Sequence, residues 1–144
     1  MKIIFKLSFI AIIIVILSSC ATELKVNYQV DNDNTGTLVI KPTGGYFKGA
    51  TLTLNNNEVI RSGGTIKKIT VNNIPKGEYQ MHFISTHWGY TKNIDEKENI
   101  KIVPYKITER TYAIPPYNTG WWIYQGCVYA GETMILILSI AALL

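Results

Sequence analysis

The sequence predicts a mainly β domain, a small antiparallel β-sandwich, set between two apolar ends. Between Glu23 and Ala113 the chain reads as about seven short runs in which apolar and polar residues alternate, the period of a half-buried strand. Asp, Asn, Gly and Pro separate these runs at close spacing. No stretch of this middle region repeats its apolar residues at helical spacing, so sheet packed on sheet is the architecture that remains.

The first element is a leader. Lys2 and Lys6 supply a positive start, and Leu7 to Leu17 is apolar throughout except for Ser8. A run this short, charged on its N-terminal side, reads as the hydrophobic region of a signal peptide spanning residues 1–19. Leu17-Ser18-Ser19-Cys20 closes it and resembles the lipobox of bacterial lipoproteins. The resemblance implies that the Cys20 thiol takes a diacylglyceryl group, that cleavage falls between Ser19 and Cys20, and that the new amine is acylated as well. Small side chains at Ser18 and Ser19 suit an extended backbone in a peptidase cleft, and a thiol is nucleophilic enough to accept the lipid near neutral pH. The plainer reading is an ordinary secretory signal with a Cys there by chance. Burial of about 0.8 kcal/mol per methylene makes one chain a marginal anchor and two or three a firm one. Ala21 occupies the place where enterobacterial lipoproteins kept at the inner membrane have Asp. In a Gram-negative envelope the resemblance therefore implies an outer-membrane lipoprotein facing the periplasm or the cell surface.

Removing 19 of the 144 residues leaves 125, enough for one domain with one core. Lys2 and Lys6 leave with the leader, so 12 basic residues face 10 acidic ones and the formal charge is +2. That is no electrostatic case for nucleic acid. Cys127 is the only other Cys, and lipidation of Cys20 leaves it no internal partner.

Residues 20–35 hold the lipidated N-terminus and the first strand, where Leu24, Val26, Tyr28 and Val30 alternate with Lys25, Asn27 and Gln29. Residues 36–114 form the sandwich domain. Asp31 to Gly36 breaks the pattern, Leu38 and Ile40 mark a short second strand, and Pro42 to Gly45 interrupts again. Leu52 and Leu54 share a face, Asn55-Asn56-Asn57 turns, and Val59-Ile60 starts back, which predicts a hairpin. After Gly63-Gly64, Ile69 and Val71 fit a strand; Pro75 to Gly77 turns tightly, and Tyr79, Met81 and Phe83 alternate out of it. Ile100 to Val103 and Ile107 to Ile114 complete the set.

Gly49-Ala50-Thr51-Leu52-Thr53-Leu54-Asn55, followed by Ile74-Pro75-Lys76-Gly77-Glu78-Tyr79, resembles the pattern of PEGA and carboxypeptidase-regulatory-like domains. The resemblance covers about residues 36 to 103 and implies a transthyretin-like sandwich in which Gly77 turns the backbone and Tyr79 packs across the fold. The sequence departs from the PEGA pattern at Asn55-Asn56-Asn57, where that family commonly has a Gly-containing turn. Cys20-Ala21-Thr22 and Thr119-Gly120-Trp121-Trp122 are similar to small bacterial lipoproteins whose sandwich is followed by an aromatic, apolar tail, and these carry no catalytic residues to transfer.

Residues 115–144 are that tail, with Glu132 their one charge. Met134 to Leu144 alone reaches about half of a hydrocarbon layer roughly 30 Å thick. A span must therefore start near Trp121 and take Gln125 and Glu132 inside, at a cost of about 2.5 to 3.5 kcal/mol for a central acid. Three readings stay open: a transmembrane helix, a segment lying on the membrane or on partners, and a segment packed on the sandwich. Trp121, Trp122 and Tyr124, with Tyr129, are membrane-interface candidates.

The other candidate sites compete with simpler readings. Asp31-Asn32-Asp33-Asn34-Thr35-Gly36 copies half of a calcium loop, but the twelfth place is Pro42 where a bidentate Glu belongs. His82 and His87 lack a third metal ligand. Trp88 and Tyr90, around Gly89, could stack on sugar or peptide as a partner-binding loop, or seal the core. Lys67-Lys68 and Asp95 to Glu98 read as solvated faces. Cys127 has no adjacent base. No Gly-x-Ser-x-Gly phrase, phosphate loop or paired zinc ligands occur.

The sequence thus predicts a non-enzymatic, lipid-anchored envelope protein with no cofactor beyond the lipid on Cys20 and no metal. Its partners are the membrane and an envelope protein or glycan. The alternative is a single-chain spanin, the phage lysis protein that links outer and inner membranes, whose lipid anchor, β-rich middle and apolar end this layout resembles.

Overall fold

The structure is a computed structural model and describes residues 21–28 and 34–141. Residues 1–20, which hold the predicted leader with Ser19 and Cys20, lie outside the described residues, as do residues 29–33 and the end of the tail from residue 142. In chain order the elements are β1 (Thr22–Asn27), β2 (Thr35–Thr43), β3 (Phe47–Leu54), β4 (Asn57–Pro75), β5 (Gly77–Ser85), β6 (Ile94–Ile102), β7 (Ile107–Ala113) and α1 (Thr119–Ala141). Ala21–Pro116 forms one compact unit, and the chain from Tyr117 belongs to another.

The β unit is the expected sandwich, rolled far enough to be nearly a barrel. Its strand order is β6-β5-β3-β4-β2-β7, with β1 added on β4. Two pairings depart from the antiparallel expectation: β1 runs parallel to β4, and β2 parallel to β7. Both join strands distant in sequence, so no hairpin turn sets their direction.

β4 organises this unit. Up to Ile66 it pairs with β3; from Ile66 onward it pairs with β1 and β2. The sequence reading broke it at Gly63-Gly64, but the strand runs through. Ala50 pairs with Ser62 and Lys48 with Thr65, so Gly63 and Gly64 together oppose Gly49 in a bulge. Gly49 has φ +78°, which an L side chain rarely adopts, so the backbone conformation itself calls for glycine there, while a Cβ would only touch the Ser62 and Thr86 carbonyls at 3.4 Å. Glycine on both sides lets one strand serve two partners in succession.

Other boundaries shift for similar reasons. β2 continues through Pro42 because pairing with β4 stops at Ile40 while pairing with β7 goes on. A missing N–H costs little where one partner has already left. Asn55 and Asn56 have φ 50° and 65°, the two positive values of a type I′ turn, and Leu54 pairs with Asn57 across them. Asn thus does the work of the Gly-containing turn. Tyr79 is half-buried against Tyr28, their ring centroids 6.2 Å apart, and its hydroxyl donates to the Pro75 carbonyl at 3.0 Å, fastening the corner before β5.

The alternation predicted the core well. Leu38, Ile40, Leu52, Leu54, Ile69, Val71, Met81 and Phe83 are all fully buried, each stabilising by about 1.5–3 kcal/mol relative to exposure. Phe83 meets the Phe47 ring edge-on at 4.9 Å and stacks on Tyr112 at 5.1 Å. β6 and β7 close the roll by side chains. Glu98 accepts from Arg110 Nε at 2.7 Å and from the Tyr112 hydroxyl, and Thr108 Oγ1 donates to the Lys101 carbonyl at 3.3 Å. Burial, together with the neighbouring Glu98 carboxylate, pushes the Tyr112 phenol well above its ordinary pKa.

α1 starts at a cap. The Asn118 Oδ1 accepts the Trp121 backbone N–H at 2.9 Å. Tyr117, just before the cap, stacks on Trp121 at 4.9 Å and meets Trp122 edge-on at 6.1 Å. Among the described residues, no helix is long and apolar enough to cross a membrane.

Candidate functional site

The loop from β5 to β6 carries the candidate surface, and β-pairing holds its base, because Ser85 pairs with Ile94. Within it the Tyr90 N–H donates to the His87 carbonyl at 2.9 Å, making a turn. The Tyr90 hydroxyl accepts from the Lys48 N–H at 3.0 Å and donates to the Tyr46 carbonyl at 3.4 Å. Thr91 N–H donates to the Pro116 carbonyl at 2.9 Å. The loop is therefore tied to β3 and to the segment after β7.

These ties separate the two predicted binding residues. Trp88 is 59 % exposed, whereas Tyr90 is 6 % exposed with its hydroxyl engaged by backbone. Tyr90 holds the loop, and Trp88 is the ring it presents. The His87 ring lies between them, its centroid 5.6 Å from Trp88 and 5.5 Å from Tyr90. Gly89 N–H donates to His87 Nδ1 at 3.1 Å, a contact that needs this nitrogen unprotonated. Burial, and then the Lys48 ammonium, lower the His87 pKa from its ordinary value.

Next to this loop lies a cleft of about 170 Å³. Lys48, Thr51, Ser62, Thr86 and His87 line it, with Gly49 and Gly63 at the bulge. Hydroxyls, an ammonium and an uncharged imidazole beside an exposed indole are groups for hydrogen bonding and stacking. Sequence reading missed Lys48, Thr51 and Ser62, because only the β3–β4 bulge and the fold of β5 bring them to His87.

The remaining predicted positions are dispersed. His82 Nε2 lies 2.7 Å from Asp95 Oδ1, an exposed cross-strand contact between β5 and β6. Among the described residues, no group of three or more His, Cys, Asp or Glu is placed to hold a metal. Of the calcium-loop lookalike, residues 31–33 lie outside the described residues, and Gly36 is within β2. A Cβ on Gly36 would sit 2.5 Å from the Val103 carbonyl, so packing explains this glycine. Cys127 is exposed on α1.

Trp121, Trp122 and Tyr124 do gather at the start of α1, with Trp121 and Tyr124 centroids 5.9 Å apart. Tyr117 joins them, which the sequence reading did not foresee. Its signal was legible as an apolar residue before an Asn cap, opposite another four places into the helix. Ser19 and Cys20, the predicted cleavage and lipid-attachment positions, lie outside the described residues. No known family model matches this chain, and no curated protein matches it.

Proposed function

We propose that the protein is a non-enzymatic, lipid-anchored module of the cell envelope, attached through Cys20 and contacting an envelope protein or glycan through Trp88. The Leu17-Ser18-Ser19-Cys20 sequence supports the anchor. The observation that carries the contact is an exposed Trp88 on a loop fastened by the buried Tyr90 hydroxyl, beside a cleft of polar side chains. A large ring held in place loses little conformational freedom on binding. The β3–β4 hairpin and the Pro75–Tyr79 corner are in keeping with a PEGA-like, transthyretin-like sandwich. The aromatic cluster of Tyr117, Trp121, Trp122 and Tyr124 suits headgroup level in a bilayer and supports a tail lying at the membrane surface.

Labelled palmitate and membrane fractionation test the anchor: label and outer-membrane recovery are expected in the parent chain and absent from Cys20→Ala. Trp88→Ala tests the contact and should abolish capture of envelope components without changing the unfolding midpoint. Unchanged capture removes the loop from the proposal. The single-chain spanin reading shares the anchor and the β unit, and differs in the tail. Rapid envelope rupture on induced expression, dependent on residues 121–144, decides in its favour.

A further inference from the structure

Beside β1 runs a groove of about 490 Å³ lined by Glu23, Lys41, Tyr46, Lys67 and Lys68. A bulge assembles it: Thr22 pairs with Ile66 and Glu23 with Lys68, leaving Lys67 as the extra, exposed residue of β4. Lys68 Nζ lies 3.1 Å from Glu23, and Lys41 Nζ lies 3.0 Å from Glu109. Both pairs reach solvent, Lys68 being the more covered partner, and pairs open to water hold weakly and give way to a competing anion. The hydrogen bond from Lys68, followed by its charge and those of Lys25 and Lys67, keeps the Glu23 carboxyl below its ordinary pKa.

Two facts give this groove a direction. Of the side chains that line it, Lys41, Lys67 and Lys68 stand against Glu23, an excess of basic over acidic groups, in a chain whose formal charge after residue 19 is +2. Cys20 precedes Glu23 by three residues, a reach of about 10 Å of extended chain, comparable with a Debye length of roughly 8 Å at physiological salt. Acyl chains on Cys20 hold the groove where the headgroup field is still felt.

We propose that this groove binds the acidic phosphate headgroups of the bilayer that receives the acyl chains, seating the β unit with β1 toward the membrane. The proposal rests on lipid attachment at Cys20. The groove would give a second membrane signal beside the lipid, one that sets orientation as well as strength. A lysine brought close to an anionic surface strengthens binding roughly fivefold.

The test uses the full Cys20→Ala chain, so that acylation does not mask the weaker contact, mixed with phosphatidylcholine vesicles with and without phosphatidylglycerol. The expected result is a preference for the anionic vesicles that high salt abolishes. Combining Lys41→Gln, Lys67→Gln and Lys68→Gln should reduce that preference roughly tenfold or more, while Glu23→Gln should increase it. Lys2 and Lys6 are common to every chain compared and cancel. No preference in the starting chain, or an equal preference in the triple variant, overturns the proposal. Should the triple variant not fold, Glu23→Gln decides alone, and absence of a gain is fatal. Palmitate labelling of the natural chain reads the anchor separately: a Cys20 without label sinks the anchor and leaves the vesicle comparison intact.

Discussion

The β unit and α1 use apolar residues in opposite ways. In the β unit they alternate with polar ones and point inward, so that Leu38, Ile40, Leu52 and Phe83 are wholly buried. On α1 they follow one another, and Trp122, Ile123, Met134 and Leu138 are each more than 60 % exposed. The first pattern has a dry side and a wet side, and rolling the sheet buries the dry one. A run that is apolar on most faces has no such solution, since one neighbour covers one face only. The β unit therefore contains its own cause of stability, whereas α1 has its start built locally, by Asn118 and the stack of Tyr117 on Trp121.

Four measurements break or sharpen this contrast. Phe83→Ala empties a site shared with Phe47 and Tyr112 and should cost about 3–5 kcal/mol in denaturant unfolding followed in detergent. Leu138→Ala should change the same midpoint by less than about 0.5 kcal/mol. Equal losses at the two positions would abolish the distinction. Glu98→Gln leaves the Arg110 guanidinium and the Tyr112 hydroxyl with a weaker acceptor, and a loss of about 1–2 kcal/mol is expected. Hydrogen exchange should quicken along β7, the strand held to β6 by these contacts, and unchanged exchange there would show that the seam closes by other means.

Asn118→Ala removes the α1 cap and should destabilise that helix by about 1 kcal/mol. Faster exchange of the Trp121 and Trp122 amides, with none in the β unit, is the expected pattern. The smallest effect concerns pH. The folded pKa of His87 is depressed, so its contribution to stability is present above the ordinary value of 6.5 and is lost as pH falls below 6.5 toward the lower folded pKa. The unfolding midpoint should decline across that window in the parent chain and decline less in His87→Gln. A midpoint rising on acidification would contradict the neutral imidazole that accepts from Gly89.

Much of this molecule was legible beforehand because its strands obey a local rule. Alternation placed Leu52, Leu54, Met81 and Phe83 in the core, and three consecutive asparagines announced the hairpin. Gly63-Gly64 misled, since a glycine pair reads as a break when its partner strand is unknown; opposite Gly49 it is the bulge that keeps β4 continuous. Trp88 and Tyr90 looked equivalent as aromatic loop residues. They differ because Lys48 and Tyr46, more than forty positions away, engage one hydroxyl.

What the amino-acid order determined alone is the β character of the middle, the apolar character of the ends and the lipobox-like phrase at Cys20. Each depends on neighbours within a few residues, through alternation, run length or a short motif. Tertiary structure decided the parallel pairing of β2 with β7, the Glu98 seam, the exposure of Trp88 over Tyr90 and the lysine-lined groove at β1. Those arise where distant segments meet, and the geometry of such meetings belongs to the closed sheet as a whole.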